Sequence, residues 1–252
     1  MELEKRLRYA KMKARHKKVF KKWYFKPWGL FLLLFIAILI SLAIASSIYV
    51  VNATKEYRQE IMIEEARKRF IEYENAIKGD RNNISFGSSD APFTIVLFSD
   101  FACPVCADAM PTIISFKEEY SDYVRFVHRD FPTQFNSVEI AHSAHCANEQ
   151  NMYWQYYQQL FTQQSRFNLL SDNDLKIELI RLAKQLGMSP ELFESCIDEK
   201  RHIHIISNDF NDSERLNLKG TPTWFINNYQ VTGHIEHELF LKLINQLIKD
   251  IS

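Results

Sequence analysis

Apolar positions divide the chain into three stretches of different character. The first is a continuous run from Gly29 to Val51, 23 residues without a charged side chain. Wound as a helix at about 1.5 Å per residue, it would span roughly 34 Å, enough for a hydrocarbon core of about 30 Å. The second, residues 52–80, is charged and helical in period: Ile63, Ala66, Phe70, Tyr73 and Ile77 recur at a 3-4-3-4 spacing. That spacing could form a short coiled-coil stem joining two copies. Two heptads fall short of the three or four that define a coiled coil, so a helical spacer or a helix packed on the next domain is the expectation. Gly79-Asp80-Arg81-Asn82-Asn83 reads as a break.

In the third stretch short apolar runs alternate with helical periods. Phe93–Phe98 is a continuous apolar run rich in β-formers, the pattern of a strand buried on both faces. Residues 104–119 read as a helix and Tyr123–His128 as a second strand. Residues 137–217 hold several helical segments. One carries Tyr153, Trp154, Tyr156 and Tyr157, read as core packing, and Ser171-Asp172-Asn173-Asp174 opens another. Gly187 and Pro190 mark a further boundary. Thr223–Ile226 and Tyr229–Thr232 flank Asn227-Asn228, a two-residue hairpin turn. Residues 236–250 close the chain as an amphipathic helix. Strand, helix, strand, helical block, hairpin and helix predict an α/β sandwich with a helical insertion.

Charge adds an orientation. The 252 residues carry 31 basic and 31 acidic side chains, but residues 1–28 have a formal charge of +9 and residues 29–252 one of −9. An acidic main body argues against nucleic-acid binding. A basic block before an uncharged run places the N-terminus in the cytoplasm and the rest across the membrane. Trp23, Tyr24 and Trp28 at the start of the run and Tyr49 near its end suit the interfaces. Ala43-Ile44-Ala45 has the form of a signal-peptide cleavage site, but the basic region and the apolar run are both longer than a signal peptide needs, which favours an uncleaved anchor. The expected organisation is a basic cytoplasmic tail (1–28), a transmembrane signal anchor in contact with lipid (29–51), a helical stem or linker (52–83) and a globular domain (84–252) with its insertion at about 133–217.

The chemistry lies in Cys103-Pro104-Val105-Cys106, which follows the first strand and opens the next helix. A sulfur at a helix N-terminus meets unpaired backbone N–H groups and the positive end of the dipole, so Cys103 is expected to ionise below the free value of about 8.5. Pro104 suits the first turn, where its missing N–H costs nothing. Cys106, one turn on, could close a disulfide on Cys103. A zinc half-site is the competing reading. It lacks a second such pair, since Cys146 and Cys196 stand alone, and His142/His145, His202/His204 and His234/His237 offer no complete ligand set. No metal site and no cofactor are expected.

Phe98 to Cys106, Arg129-Asp130-Phe131-Pro132, Cys146-Ala147-Asn148-Glu149-Gln150 and Gly220-Thr221-Pro222-Thr223-Trp224-Phe225-Ile226-Asn227 together resemble the DsbA-type thiol–disulfide oxidoreductases of the thioredoxin superfamily, over about residues 84–250. The resemblance implies a thioredoxin fold with an inserted helical domain, here preceded by one transmembrane helix and a stem. It implies catalysis by Cys103 and Cys106, with Pro104, Val105, Thr221 and Pro222 supporting the site and binding substrate. Pro222 is expected to be cis and to face the cysteine pair. Relatives carry a cysteine near each of Cys146 and Cys196, so a structural disulfide between these two is expected, with a second redox-active pair or free thiols as the alternatives.

Two positions depart from the strongest oxidases of the family. Val105 stands where they have histidine, and Leu97 where they have a buried acid six positions before the first cysteine. Asp100, if near the sulfur, would oppose its ionisation. These departures imply a milder oxidant. The expected role is an enzyme in the cytoplasmic membrane with its domain on the extracytoplasmic, periplasmic side. It would introduce disulfides into reduced exported proteins and be reoxidised by a quinone-linked partner of the DsbB type. A homodimer through the stem would favour an isomerase or reductase instead. A non-catalytic membrane-tethered binding module or metal chaperone is the reading from a different class.

Overall fold

The computed structural model of the chain describes residues 2–23, 27–79, 83–227 and 229–251. Tyr24, residues 80–82 of the expected break and Asn228 of the hairpin turn lie outside them. The chain divides into two units, Met1–Lys68 and Arg69–Ser252.

The first unit is helical, and its last helix runs on to Lys78 of the second. Helix α1 (Glu2–Trp23) covers the basic tail, to which the apolar pattern assigns no element. Its Lys, Arg and Leu residues are good helix formers without a continuous apolar stripe. Helix α2 (Pro27–Lys78) starts on a proline, a residue suited to a first turn, and runs through the whole uncharged stretch. The stretches expected as anchor and stem thus lie on one helix. Its apolar part is long and uncharged enough to cross a membrane, and none of that window is buried against protein. Ile63 is exposed at the stem spacing.

The second unit is built on a five-stranded mixed sheet in the order β1-β3-β2-β4-β5. The strands are β1 (Ser85–Phe86), β2 (Phe93–Ser99), β3 (Val124–Asp130), β4 (Thr223–Ile226) and β5 (Tyr229–Thr232). β2 and β3 are parallel and the other pairs antiparallel. The apolar run of β2 is explained by its central place, since a strand covered on both faces has no polar face to keep. Ile95 and Leu97 join Phe126, Trp224 and Cys106 in the larger core. Val96 and Phe98 face the other way, into a smaller core with Phe225, Leu216, Ala76 and Ile77. Of the stem pattern, Ile77 is thus buried, while Phe70 and Tyr73 stay exposed. On this second face Arg129 lies over the Phe98 ring at 4.9 Å. Its guanidinium donates to Asp209 and Asp212 at 2.7 Å each and to the carbonyl oxygen of Ala76 at 2.8 Å.

The helix expected over 104–119 is two helices, α3 (Pro104–Ala107) and α4 (Met110–Glu119). Pro111 sits in the first turn of α4; without an N–H it cannot continue the ladder from α3. The insertion comprises α5 (Ser137–Asn148), α6 (Tyr153–Thr162), α7 (Gln164–Phe167), α8 (Asp172–Gln185), α9 (Pro190–Asp198) and α10 (Ile203–Arg215). Ser171 caps α8 by accepting from the Asp174 N–H, and Ser189 caps α9 through the Leu192 N–H, with Pro190 at its first position. Tyr153, Tyr156 and Tyr157 of α6 are buried in the larger core. A disulfide joins Cys146 of α5 to Cys196 of α9. Helix α11 (His237–Ile251) closes the chain and sets Phe240 edge-on against Trp224 of β4.

Candidate active site

Strand β2 ends at Ser99, and the next four residues carry the chain to Cys103, the N-cap of α3. Two backbone bonds shape this loop: the Cys103 N–H donates to the Asp100 carbonyl and the Cys106 N–H to the Cys103 carbonyl, both at 3.0 Å. Cys103 and Cys106 are both free thiols. Cys103 keeps 9% of its surface exposed and Cys106 none. Opposite them the Thr221-Pro222 peptide is cis. The Cys103 Sγ lies 3.6 Å from the Thr221 carbonyl oxygen. The loop bearing Thr221 and Pro222 is held by the Thr223 hydroxyl, which donates to the Gly220 carbonyl at 2.7 Å, and by the Gly233 N–H, which donates to the Pro222 carbonyl at 2.8 Å. The structure thus brings Cys103, Pro104, Val105, Cys106, Thr221 and Pro222 to one place. Val105 is 41% exposed beside the sulfur.

The two sulfurs are electrostatically unlike. A hydrogen bond from the Cys106 thiol holds the Cys103 thiol down at about 6; burial works against it, and Thr221 and the N–H groups of Cys106 and Val105 add to the lowering. Burial pushes Cys106 far up, and the neighbouring Cys103 adds to that. The reduced pair therefore carries its one proton near neutrality on Cys106. The source differs from the sequence expectation. With α3 only four residues long, a long-helix dipole is not available, and the near N–H groups and the partner thiol do the stabilising.

Asp100 is engaged away from the sulfur. Its Oδ1 accepts from the Ala102 N–H at 2.8 Å, and its Oδ2 accepts from the Thr133 N–H and hydroxyl at 2.7 and 2.9 Å and the Gln134 N–H at 3.2 Å. It fastens the cysteine loop to the segment after β3. Two amides that the sequence reading missed brace the same loop from the insertion. Gln164 Nε2 donates to the carbonyls of Phe101 and Cys103 at 2.7 and 2.9 Å, and Asn168 Nδ2 donates to the Ala102 carbonyl at 2.8 Å. Nothing in the sequence singles out either, since Gln164 sits within the polar run Thr162–Arg166 and Asn168 just beyond it.

Leu97 is paired across the sheet with His128. Burial pushes His128 down to about 4, so it is neutral, and its Nδ1 meets the Tyr153 hydroxyl at 2.9 Å. Of the histidines considered as metal ligands, His142 and His202 lie beside the Cys146–Cys196 disulfide. His145 instead pairs with Asp130 at 2.6 Å.

A family model described as Thioredoxin matches residues 80–246. Among curated proteins, the chain is 28% identical over 153 residues to a Na(+)/H(+) antiporter NhaA 1 of Mycolicibacterium gilvum, covering 58% of this chain and 24% of that one. The chain thus spans about a quarter of the length of that relative, whose name describes the whole of it. A thioredoxin-like oxidoreductase from Silicibacter pomeroyi superposes with a TM-score of 0.57 at 22% identity, covering 69% of this chain and 97% of the other. The thiol–disulfide exchange protein alpha-DsbA2 from Wolbachia pipientis does so with a TM-score of 0.60 at 19% identity, covering 73% and 96%. These similarities establish a thioredoxin fold, here with a helical insertion between β3 and β4. The chain belongs to the thioredoxin family.

Proposed function

We propose that the protein is a membrane-anchored thiol–disulfide oxidoreductase that introduces disulfides into exported proteins through Cys103 and Cys106. The observation that carries this reading is the asymmetry of the pair: a partly exposed sulfur held near 6 beside a buried one that keeps its proton. In the oxidised enzyme a substrate thiolate attacks the Cys103 sulfur. The Cys103–Cys106 bond breaks, and Cys106 leaves and takes up a proton. A second substrate thiolate then attacks its own chain's sulfur in the mixed disulfide, and Cys103 departs as a stabilised thiolate. The substrate loses two electrons and two protons; one proton stays on Cys106, the other passes to water, and Cys103 ends as the thiolate. Pro222 has no N–H, so an extended substrate can pair with the Thr221 backbone while its cysteine lies beside Cys103. Exposed Val105 offers that substrate an apolar contact.

The basic tail and the apolar part of α2 support an anchor in the cytoplasmic membrane, with the N-terminus inside and residues 84–252 on the extracytoplasmic, periplasmic side. The Cys146–Cys196 disulfide fits an oxidising compartment. Reoxidation falls to a quinone-linked membrane partner of the DsbB type, which a shared membrane keeps at high effective concentration. A second reading, an isomerase or reductase acting as a dimer, draws on the exposed Ile63 and Phe70 at stem spacing.

A sulfur ionising near 6 falls between thioredoxin, at about 7, and the strongest oxidant of the family, at about 3.5. The Cys103–Cys106 couple is accordingly expected between about −270 and −120 mV. Equilibration of the full chain with glutathione buffers measures it, and alkylation trapping in cells reports the working state. A potential below that window, with the pair mainly reduced in cells, would move the assignment to the reductase. A Cys103→Ala variant that keeps full biological activity would make the protein a binding module.

A further inference from the structure

The surroundings of the Cys146–Cys196 disulfide contain donors that the chemistry at Cys103 leaves unused. One helical turn before Cys146 on α5, His142 places its Nε2 3.8 Å from the Cys146 sulfur. His142, Cys146 and Cys196 offer ligand-type atoms that all lie within 4.8 Å of one another. Cys196 shares a second group of the same span with Glu149 and His202. These last two are joined at 2.6 Å through His202 Nε2. The rings of His142 and His202 are 6.3 Å apart. His142, Cys146 and Cys196 are buried. The group is nevertheless reachable: His142 lines one cleft of about 430 Å³, and His202 lines another of about 590 Å³.

We propose that in its dithiol state this cluster is a zinc site, with Cys146, Cys196 and His142 as ligands and the fourth donor from the His202–Glu149 pair, so that zinc and the disulfide exclude each other at one position. Two sulfurs and an imidazole are the donor set of structural zinc and a poor one for calcium or magnesium, which take oxygen. With Zn–S at about 2.3 Å and Zn–N at about 2.0–2.1 Å, a tetrahedral site sets sulfur and nitrogen roughly 3.6 Å apart and its two sulfurs roughly 3.8 Å apart. The His142–Cys146 separation of 3.8 Å lies within about 0.2 Å of the sulfur–nitrogen figure. The sulfurs are drawn in only by their bond, and they can part once it opens. Opening takes two electrons and two protons from an external dithiol, which itself becomes a disulfide. Zinc then displaces both thiol protons into water. Closure is the reverse exchange: an external disulfide takes the two electrons and becomes a dithiol, and the cation is left without its sulfur ligands. Either state ties α5 to α9, so the insertion keeps a cross-link whether the chain is reduced or oxidised. The sequence hides the site because its donors come from three separate segments, none with two cysteines.

The test uses the full chain in detergent with Cys103→Ser and Cys106→Ser, which leaves Cys146 and Cys196 as the remaining cysteines. One portion is reduced with a phosphine, which takes up oxygen from water as the disulfide becomes two thiols; a second portion stays oxidised. Both are titrated with Zn²⁺, and with Co²⁺ as a spectroscopic probe. The reduced form is expected to bind one zinc per chain at least about a hundredfold more tightly than the oxidised form. Its cobalt complex should show tetrahedral bands and thiolate charge transfer. His142→Ala should weaken zinc binding at least about tenfold. Equal affinity in the two redox states, or a folded His142→Ala variant that binds as tightly as its parent, overturns the proposal. If His142→Ala does not fold, the cobalt spectrum decides: thiolate charge transfer supports the site, and its absence overturns it.

Discussion

The behaviour of Cys103 is set by atoms within a few ångströms of its sulfur, and the Cys106 thiol is first among them. Cys106→Ala removes that donor and leaves the two N–H groups. The midpoint of Cys103 alkylation by iodoacetamide is expected to rise from about 6 toward the free-thiol range; an unchanged midpoint would assign the stabilisation to the backbone alone. Gln164→Ala strips the donor from two carbonyls of the cysteine loop, and one buried polar group left unpaired costs about 1–3 kcal/mol. A lower melting temperature together with a changed alkylation rate at Cys103 is the expected result, and a loss of stability without a change in rate would show that the brace does not reach the sulfur. The cysteine pair was legible as a short motif after an apolar run, and the cis Thr221-Pro222 peptide only through the family resemblance, since X-Pro bonds are ordinarily trans. Gln164 and Asn168 were not. An amide reaching a carbonyl 61 residues away leaves no period and no local pattern to read.

At the scale of elements, β2 could be read because burial on both sheet faces writes itself as an unbroken apolar run, and the hairpin because Asn227-Asn228 parts two short β-rich segments, the second of them exposed. The two-residue β1 was too short to leave such a run, and the break between α3 and α4 was announced by Pro111 but outweighed by the apolar period around it. Helix α5 is fastened to β3 by the His145–Asp130 pair, both side chains buried. Burial acts to lower the His145 value, but Asp130 outweighs it and holds His145 above its ordinary 6.5. Burial likewise opposes ionisation of Asp130, and His145 overcomes it and holds Asp130 below its ordinary 3.8. A raised histidine stabilises the fold fully below its unfolded value, and the contribution fades as pH rises through the folded one. A lowered carboxylate stabilises above its unfolded value, and the contribution fades as pH falls through the folded one. The pair therefore contributes most between these limits. His145→Gln is expected to cost about 3–5 kcal/mol there, because it leaves a buried carboxylate without its counter-charge. The difference from wild type in denaturant melts should shrink at alkaline pH; a difference independent of pH would mean that packing, not charge, joins these elements.

For the whole molecule the uneven charge and the uncharged run of α2 predict an integral membrane protein. Membranes washed with alkaline carbonate should retain the full chain, and a membrane-impermeant maleimide should label reduced Cys103 in spheroplasts. Labelling only after the membrane is opened would reverse the orientation. What the sequence could not reveal at this scale was that the apolar run and the charged stretch after it form one helix, because a change from apolar to charged residues alters the surroundings of a helix and not its backbone. Whether one sulfur is poised to exchange partners at neutral pH is read by titrating the reduced full chain and following thiolate absorbance together with exchange against a disulfide peptide. A midpoint of about 6 is expected for Cys103, with exchange rising along the same curve. Ionisation near the free value of about 8.5, with no exchange, would contradict it.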